Sequence, residues 1–171
     1  MYYEKNLKRM SSFYVNEVHL ITMLLPYVKS KINEECEIHT ILQNDLDKTV
    51  SLLLKRLNLK DDVKLKISSI DWKAKNVEEY IEKENNMKSK RTNYIFINGD
   101  AKFVREANNL LENFNKNNEN IKIIIINCYD IIEFNKNIIE ILNNTDEILN
   151  TSGEHEIEEI FPEYVKEKKK A

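Results

Sequence analysis

The stretch Ile121-Lys122-Ile123-Ile124-Ile125-Ile126 limits the possible folds more than any other part of the chain. All its side chains except Lys122 are β-branched and favour extended backbone. Six residues are too few for a buried helix, and polar breaks flank the run on both sides. A strand without polar alternation must be covered on both faces, as a central strand of a parallel sheet is. Each fully buried Ile contributes about 1.5–3 kcal/mol, so this segment anchors the core. The fold class that follows is α/β: a three-layer sandwich with a mostly parallel central sheet between helices.

The remaining segments fit that frame. Leu20, Met23, Leu24, Tyr27, Val28 and Ile32 recur at helical spacing, and Pro26 within them predicts a kink or a helix start nearby. Phe13 to His19 suits either the first turns of that helix or a short strand. An Asn33-Glu34-Glu35 turn leads to Cys36–Leu42, a strand, after which Asn44 or Asp45 caps a helix burying Leu46, Val50, Leu53, Leu54 and Leu57. Val63, Leu65 and Ile67 alternate with polar residues, which predicts a half-exposed strand near an edge. Asn76 with Glu79 has the form of a capping box opening a helix over Val77, Tyr80 and Ile81. Tyr94–Ile97 is a further strand, and Asp100 caps a helix with Phe103, Val104, Ala107, Leu110, Leu111 and Phe114 on one face. A helix over 134–143, a short strand at 147–149 and a small apolar face (Ile157, Ile160, Phe161, Tyr164) close the chain. One α/β domain over 13–165 is expected, between a flexible N-terminus (1–12) and a disordered basic tail (166–171).

Net charge is −3 and the pI about 5.7, so no global field draws the chain to nucleic acid or to an anionic membrane. No apolar stretch reaches the roughly 18–20 residues that span a bilayer, and Met1–Asn6 has no apolar core for a signal peptide. Cys36 and Cys128 lie far apart inside apolar runs. They suit buried reduced thiols in a cytoplasmic protein and argue against a zinc site or a disulfide framework. With two glycines in all, Gly99 and Gly153, neither a phosphate-binding P-loop nor a GxGxxG dinucleotide loop can form.

Ligands of open parallel sheets bind beyond the carboxyl ends of the strands. Asn44 and Asp45, Asn98 and Asp100, and Cys128, Tyr129 and Asp130 fall there, and His19 lies in the early segment that joins them as a candidate. Tyr129 and Asp130 offer hydrogen bonds, and Cys128 a redox- or metal-responsive thiol. Helix capping accounts equally well for Asn44, Asp45 and Asp100. A catalytic Cys128 needs a base such as His19, His39 or His155, and nothing in the spacing brings any of them to it. His39, within a strand, reads as a satisfied core or sheet-face residue. No catalytic residue, metal ligand or cofactor is assigned.

Read in order, Val18-His19-Leu20, Leu25-Pro26-Tyr27-Val28, Asn33–Ile38, Gly99-Asp100, Leu110–Phe114, Ile126-Asn127-Cys128-Tyr129-Asp130 and Ile138–Leu149 with Asn150–Gly153 resemble segments of the MEDS domain. That is the methanogen/methylotroph sensory domain, typified by a dichloromethane-responsive repressor. The likeness covers about residues 14–160. Asn33 stands where the family has a Gly, and Asn144-Thr145 where it has His-Pro. The resemblance implies a degenerate RecA/KaiC-like or Rossmann-like α/β fold without ATP hydrolysis, acting as a sensory or regulatory module toward a small molecule or a regulatory protein. The alternatives are a structural protein–protein interaction subunit, such as a homodimer, and an enzyme using Cys128.

Overall fold

The computed structural model describes residues 6–32, 36–87 (Met87 by its backbone alone) and 91–164; the predicted turn at 33–35 and basic tail at 166–171 lie outside them. The elements run β1 (Leu7–Tyr14), α1 (Glu17–Ile32), β2 (Cys36–Leu42), α2 (Asp47–Arg56), α3 (Asp61–Ser68), α4 (Val77–Met87), β3 (Thr92–Asn98), α5 (Ala101–Asn117), β4 (Ile123–Asp130), α6 (Ile131–Lys136), α7 (Ile138–Asn143), β5 (Glu147–Asn150), β6 (Gly153–Glu156) and α8 (Ile157–Ile160). Six strands form one sheet in the order β2-β3-β4-β1-β5-β6. All neighbours are parallel except β5 and β6. The architecture is therefore the expected mostly parallel sheet between helical layers. Its order differs from the doubly wound dinucleotide-binding sheet, where the first strand lies beside the second.

Alternation along the strands divides the interior in two. Met10, Phe96, Ile124, Ile126 and Cys128 face α1, α2 and α3. Ile41, Ile95, Ile97, Ile123, Ile125, Tyr129 and Ile148 face α4 to α8. β4 fills both cores, as its unbroken isoleucines require, because successive side chains leave opposite sides of a pleated strand. α5 presents Val104, Ala107, Leu111 and Phe114 to the second core, and Asp100 caps it by accepting the Phe103 amide at 2.8 Å.

Several expectations are corrected. The N-terminus is not flexible from residue 7 onward: β1 is an interior strand, pairing with β4 through all eight residues and with β5 at Met10 and Ser11. Its polar side chains are partnered, as in the Lys8–Glu147 ion pair at 2.7 Å and the Ser12 hydroxyl donating to the Met23 sulfur at 2.9 Å. Residues 63–67 form part of α3 rather than a strand. Val63 and Ile67 are buried four residues apart, while Leu65 is 72 % exposed. Asp61 and Asp62 in the first turn favour the helix through its dipole. α1 starts at Glu17 and runs through Pro26, which lies on its exposed side. The helix over 134–143 is two short helices joined at Asn137, and the strand at β5 acquires an antiparallel partner, β6. Neither Asn44 nor Asp45 caps α2; Leu46 holds the cap position and makes no side-chain bond there.

Candidate functional site

Chain direction reverses across β1 and β4. The connection after β1 leaves toward β2 through α1 on one face, and that after β4 leaves toward β5 through α6 and α7 on the other. Such a switch point opens a crevice at the carboxyl ends of the strands. Asn98, at the end of β3, is buried there and donates through Nδ2 to the Tyr14 hydroxyl (2.8 Å) and to the Cys128 carbonyl (3.1 Å), tying β3 to β1 and β4. Burial raises the Tyr14 pKa, against the opposing Asn98 bond. Gln43 donates to Asp100 (3.1 Å) and accepts the Asp100 amide (2.8 Å), joining the ends of β2 and β3. The backbone bond from Phe103 and the Gln43 side chain hold the Asp100 carboxyl below its ordinary pKa.

The other residues expected at this rim are dispersed. Asp45 accepts the Ala74 amide at 2.7 Å and fastens the loop before α4, while Asn44 faces solvent. His19, half-buried in the first turn of α1, accepts the Val15 amide at 3.0 Å. Asp130 caps α6 through the Ile132 amide at 2.8 Å. Cys128 is fully buried among the α1–α3 core, and burial pushes its thiol pKa far up. It is neither a thiolate nor within reach of a reagent. Tyr129 points to the opposite face, so adjacent residues cannot share one rim site.

Tyr129 instead belongs to a cleft of about 230 Å³ between α5 and α7, floored by β1 and β4. Along α5, Ala101, Arg105, Asn108 and Glu112 form one wall at helical spacing, and Glu140, Ile141 and Asn144 form the other. Arg9 donates through Nε to Asn108 (3.1 Å) and through Nη2 to Glu112 (3.1 Å). Asn108 donates to the Asn127 amide oxygen (2.8 Å), and Asn127 returns a bond of 3.2 Å, closing a buried amide pair. Ser11 and Thr145 share a hydroxyl bond of 2.7 Å beside them. At the mouth, Arg105 donates to Glu140 through Nε (3.0 Å) and Nη2 (3.4 Å), bridging the two walls. The Tyr129 hydroxyl, whose pKa burial raises, lies within the field of Arg105 and Arg9 and stays a neutral donor.

No known family, curated protein or solved structure matches the chain.

The cleft thus offers two guanidinium groups, two carboxylates, several amides and a phenol. All are hydrogen-bonding groups rather than an assembled nucleophile and base. Arg9, Arg105 and Asn108 were not among the residues singled out from sequence. The polar stripe Arg105, Asn108 and Glu112 beside the apolar face of α5 was the available signal. Among the described residues, no helix is long and apolar enough to cross a membrane.

Proposed function

We propose that this chain is a sensory or regulatory module that binds one small polar metabolite in the cleft between α5 and α7. The observation that carries this reading is the buried Asn108–Asn127 pair with Arg9, set beside the apolar core that α5 covers. Packing α5 on the sheet needs no such groups, since apolar side chains of equal volume serve stability as well or better. A volume of about 230 Å³ is below the roughly 300–1,000 Å³ of drug-sized pockets, and suits an amino acid or a nucleobase. The paired charges Arg9–Glu112 and Arg105–Glu140 favour a ligand carrying both a donor and an acceptor end. The resemblance to the MEDS domain supports the regulatory role.

The test is a thermal-shift panel of amino acids, nucleobases and small organic acids against the whole chain. A ligand at about a hundred times its Kd adds about 2.7 kcal/mol of stability. Arg105→Ala, at a half-exposed position, should leave the ligand-free Tm within a degree or two and abolish the ligand shift. A silent panel, or a hit that Arg105→Ala and Tyr129→Phe bind as tightly as the parent, rejects the reading.

A second reading, a protein–protein interaction subunit, is favoured by exposed apolar residues on α6 and α7. Ile132 and Ile139 are 62 % and 61 % exposed, and Ile139 lines a groove with Ile138, Leu142, Ile160 and Phe161. Light scattering decides it: a dimer that Ile139→Glu converts to monomer supports this alternative.

A further inference from the structure

At the amino ends of β2 and β3, on the face covered by α4, a second polar cluster stands apart from the cleft. Glu37 and His39 lie two residues apart and leave the same face of β2; Asn93 lies opposite Glu37 in β3, and Tyr80 and Glu84 reach the cluster from successive turns of α4. One atom, His39 Nε2, has three oxygens around it: Glu37 Oε2 at 3.1 Å, Asn93 Oδ1 at 3.2 Å and Glu84 Oε1 at 3.7 Å. Ligand atoms bound to a tetrahedral Zn²⁺ at about 2.0–2.1 Å stand about 3.3–3.4 Å apart, so the three oxygens lie near ligand spacing from Nε2, and the Glu37, His39 and Glu84 ligand atoms all fall within 4.8 Å of one another.

The surroundings point to a ligand as well. Asn93 is fully buried and Tyr80 nearly so, yet among the described residues Asn93 Nδ2 and the Tyr80 hydroxyl have no hydrogen-bond partner. The Tyr80 ring meets His39 edge-on at 4.9 Å, and its hydroxyl feels the charges of Glu84 and Glu37. Buried polar atoms left in this way are rare in folded chains; the Asn93 N–H asks for an acceptor such as an ordered water, and the Tyr80 hydroxyl can meet the same water, as one bound to an ion would supply. Two carboxylates meeting at a desolvated imidazole are best balanced by a dication at their shared point. Glu37 is the more exposed of the ligands, at 30 % of its side chain, and gives an ion its way in.

We propose that Glu37, His39 and Glu84, with the amide oxygen of Asn93, bind one divalent transition-metal ion of the Zn²⁺ class. An imidazole among oxygen ligands selects such an ion over Mg²⁺ or Ca²⁺. This site is independent of the cleft and stands whether or not the cleft binds a metabolite.

Zn²⁺ titration of the chelator-stripped full chain, read by calorimetry and by metal analysis after gel filtration, tests it. One Zn²⁺ per chain is expected, with a raised Tm and no competition from millimolar Mg²⁺. His39→Ala and Glu84→Gln should each weaken binding at least a hundredfold, while His19→Ala and His155→Ala leave it unchanged. Co²⁺ should give the visible absorption of a four-coordinate ion in the parent and lose it in Glu37→Gln, a change near the surface that keeps the fold if His39→Ala does not. No stoichiometric binding, or binding retained in both His39→Ala and Glu37→Gln, overturns the proposal.

Discussion

Asp100 works at the scale of a single side chain. It accepts the Phe103 amide as the cap of α5 and also meets Gln43, so its carboxylate stabilises the folded state in its charged form. Asp100→Ala should cost about 1 kcal/mol, the usual worth of such a cap, measured as a shift in urea midpoint. The sign of the pH effect follows from the depressed pKa. The contribution is fully present above the unfolded carboxyl pKa of about 3.9 and is lost as pH falls through the lower folded value. The parent should therefore lose stability faster than Asp100→Ala on acidification below about pH 4. Cys128 gives a second expectation: a thiol reagent should label the native chain at half-buried Cys36 and reach Cys128 only after denaturation. The cap was legible in sequence because Asp before an apolar helical pattern is a local signal. The burial of Cys128 was legible as well, from its place in an apolar run; which helices enclose it was not, because that depends on what covers β4.

Among the elements, α3 shows how a short pattern misleads. Val63, Leu65 and Ile67 fit a period of two, yet the buried pair 63 and 67 also fits one turn of helix, and the two templates differ only at Leu65. The assignment is checked by two substitutions. Leu65→Glu should change stability by less than about 0.5 kcal/mol, and Ile67→Ala should cost about 2–5 kcal/mol. A strand would make both costly. β1 misleads in the other direction. Lys8, Arg9, Ser11 and Ser12 give it the look of a solvated end, and it is tolerated inside the sheet because Glu147, Asn108, Glu112, Thr145 and Met23 satisfy those groups. Each of these partners except Met23 lies about a hundred or more residues away, beyond the reach of any local pattern. β3, β4 and α5 were read correctly because their apolar patterns exceed what a loop or a competing element can show.

At the scale of the whole molecule, two cores lie back to back on one sheet, and β3, β4 and β1 contribute to both. Neither helical layer has a second surface to fall back on, so the two should melt together. Trp72, the single tryptophan, is buried on the α1–α3 side with its indole N–H donating to the Ile67 carbonyl at 2.9 Å. Its fluorescence and the far-ultraviolet circular dichroism should give coincident urea transitions. A fluorescence change at lower urea would mean that this layer opens alone.

The sequence by itself determined the α/β class, because an isoleucine strand without polar alternation has to be buried on both faces. It also determined where α4 and α5 begin, because their caps, Asn76 and Asp100, and their apolar stripes are short-range signals. Only the tertiary structure decided the strand order and the interior place of β1. It alone brought Arg9 to Asn108 and Asn127, and His39 to Glu84 and Asn93. Those meetings depend on register, and a slip of one residue would turn each strand residue among them to the opposite face. Register is fixed by pairing between distant segments, so polar residues that look like solvated surface along the chain become the floor of a cleft and a cluster of ligands once the sheet closes.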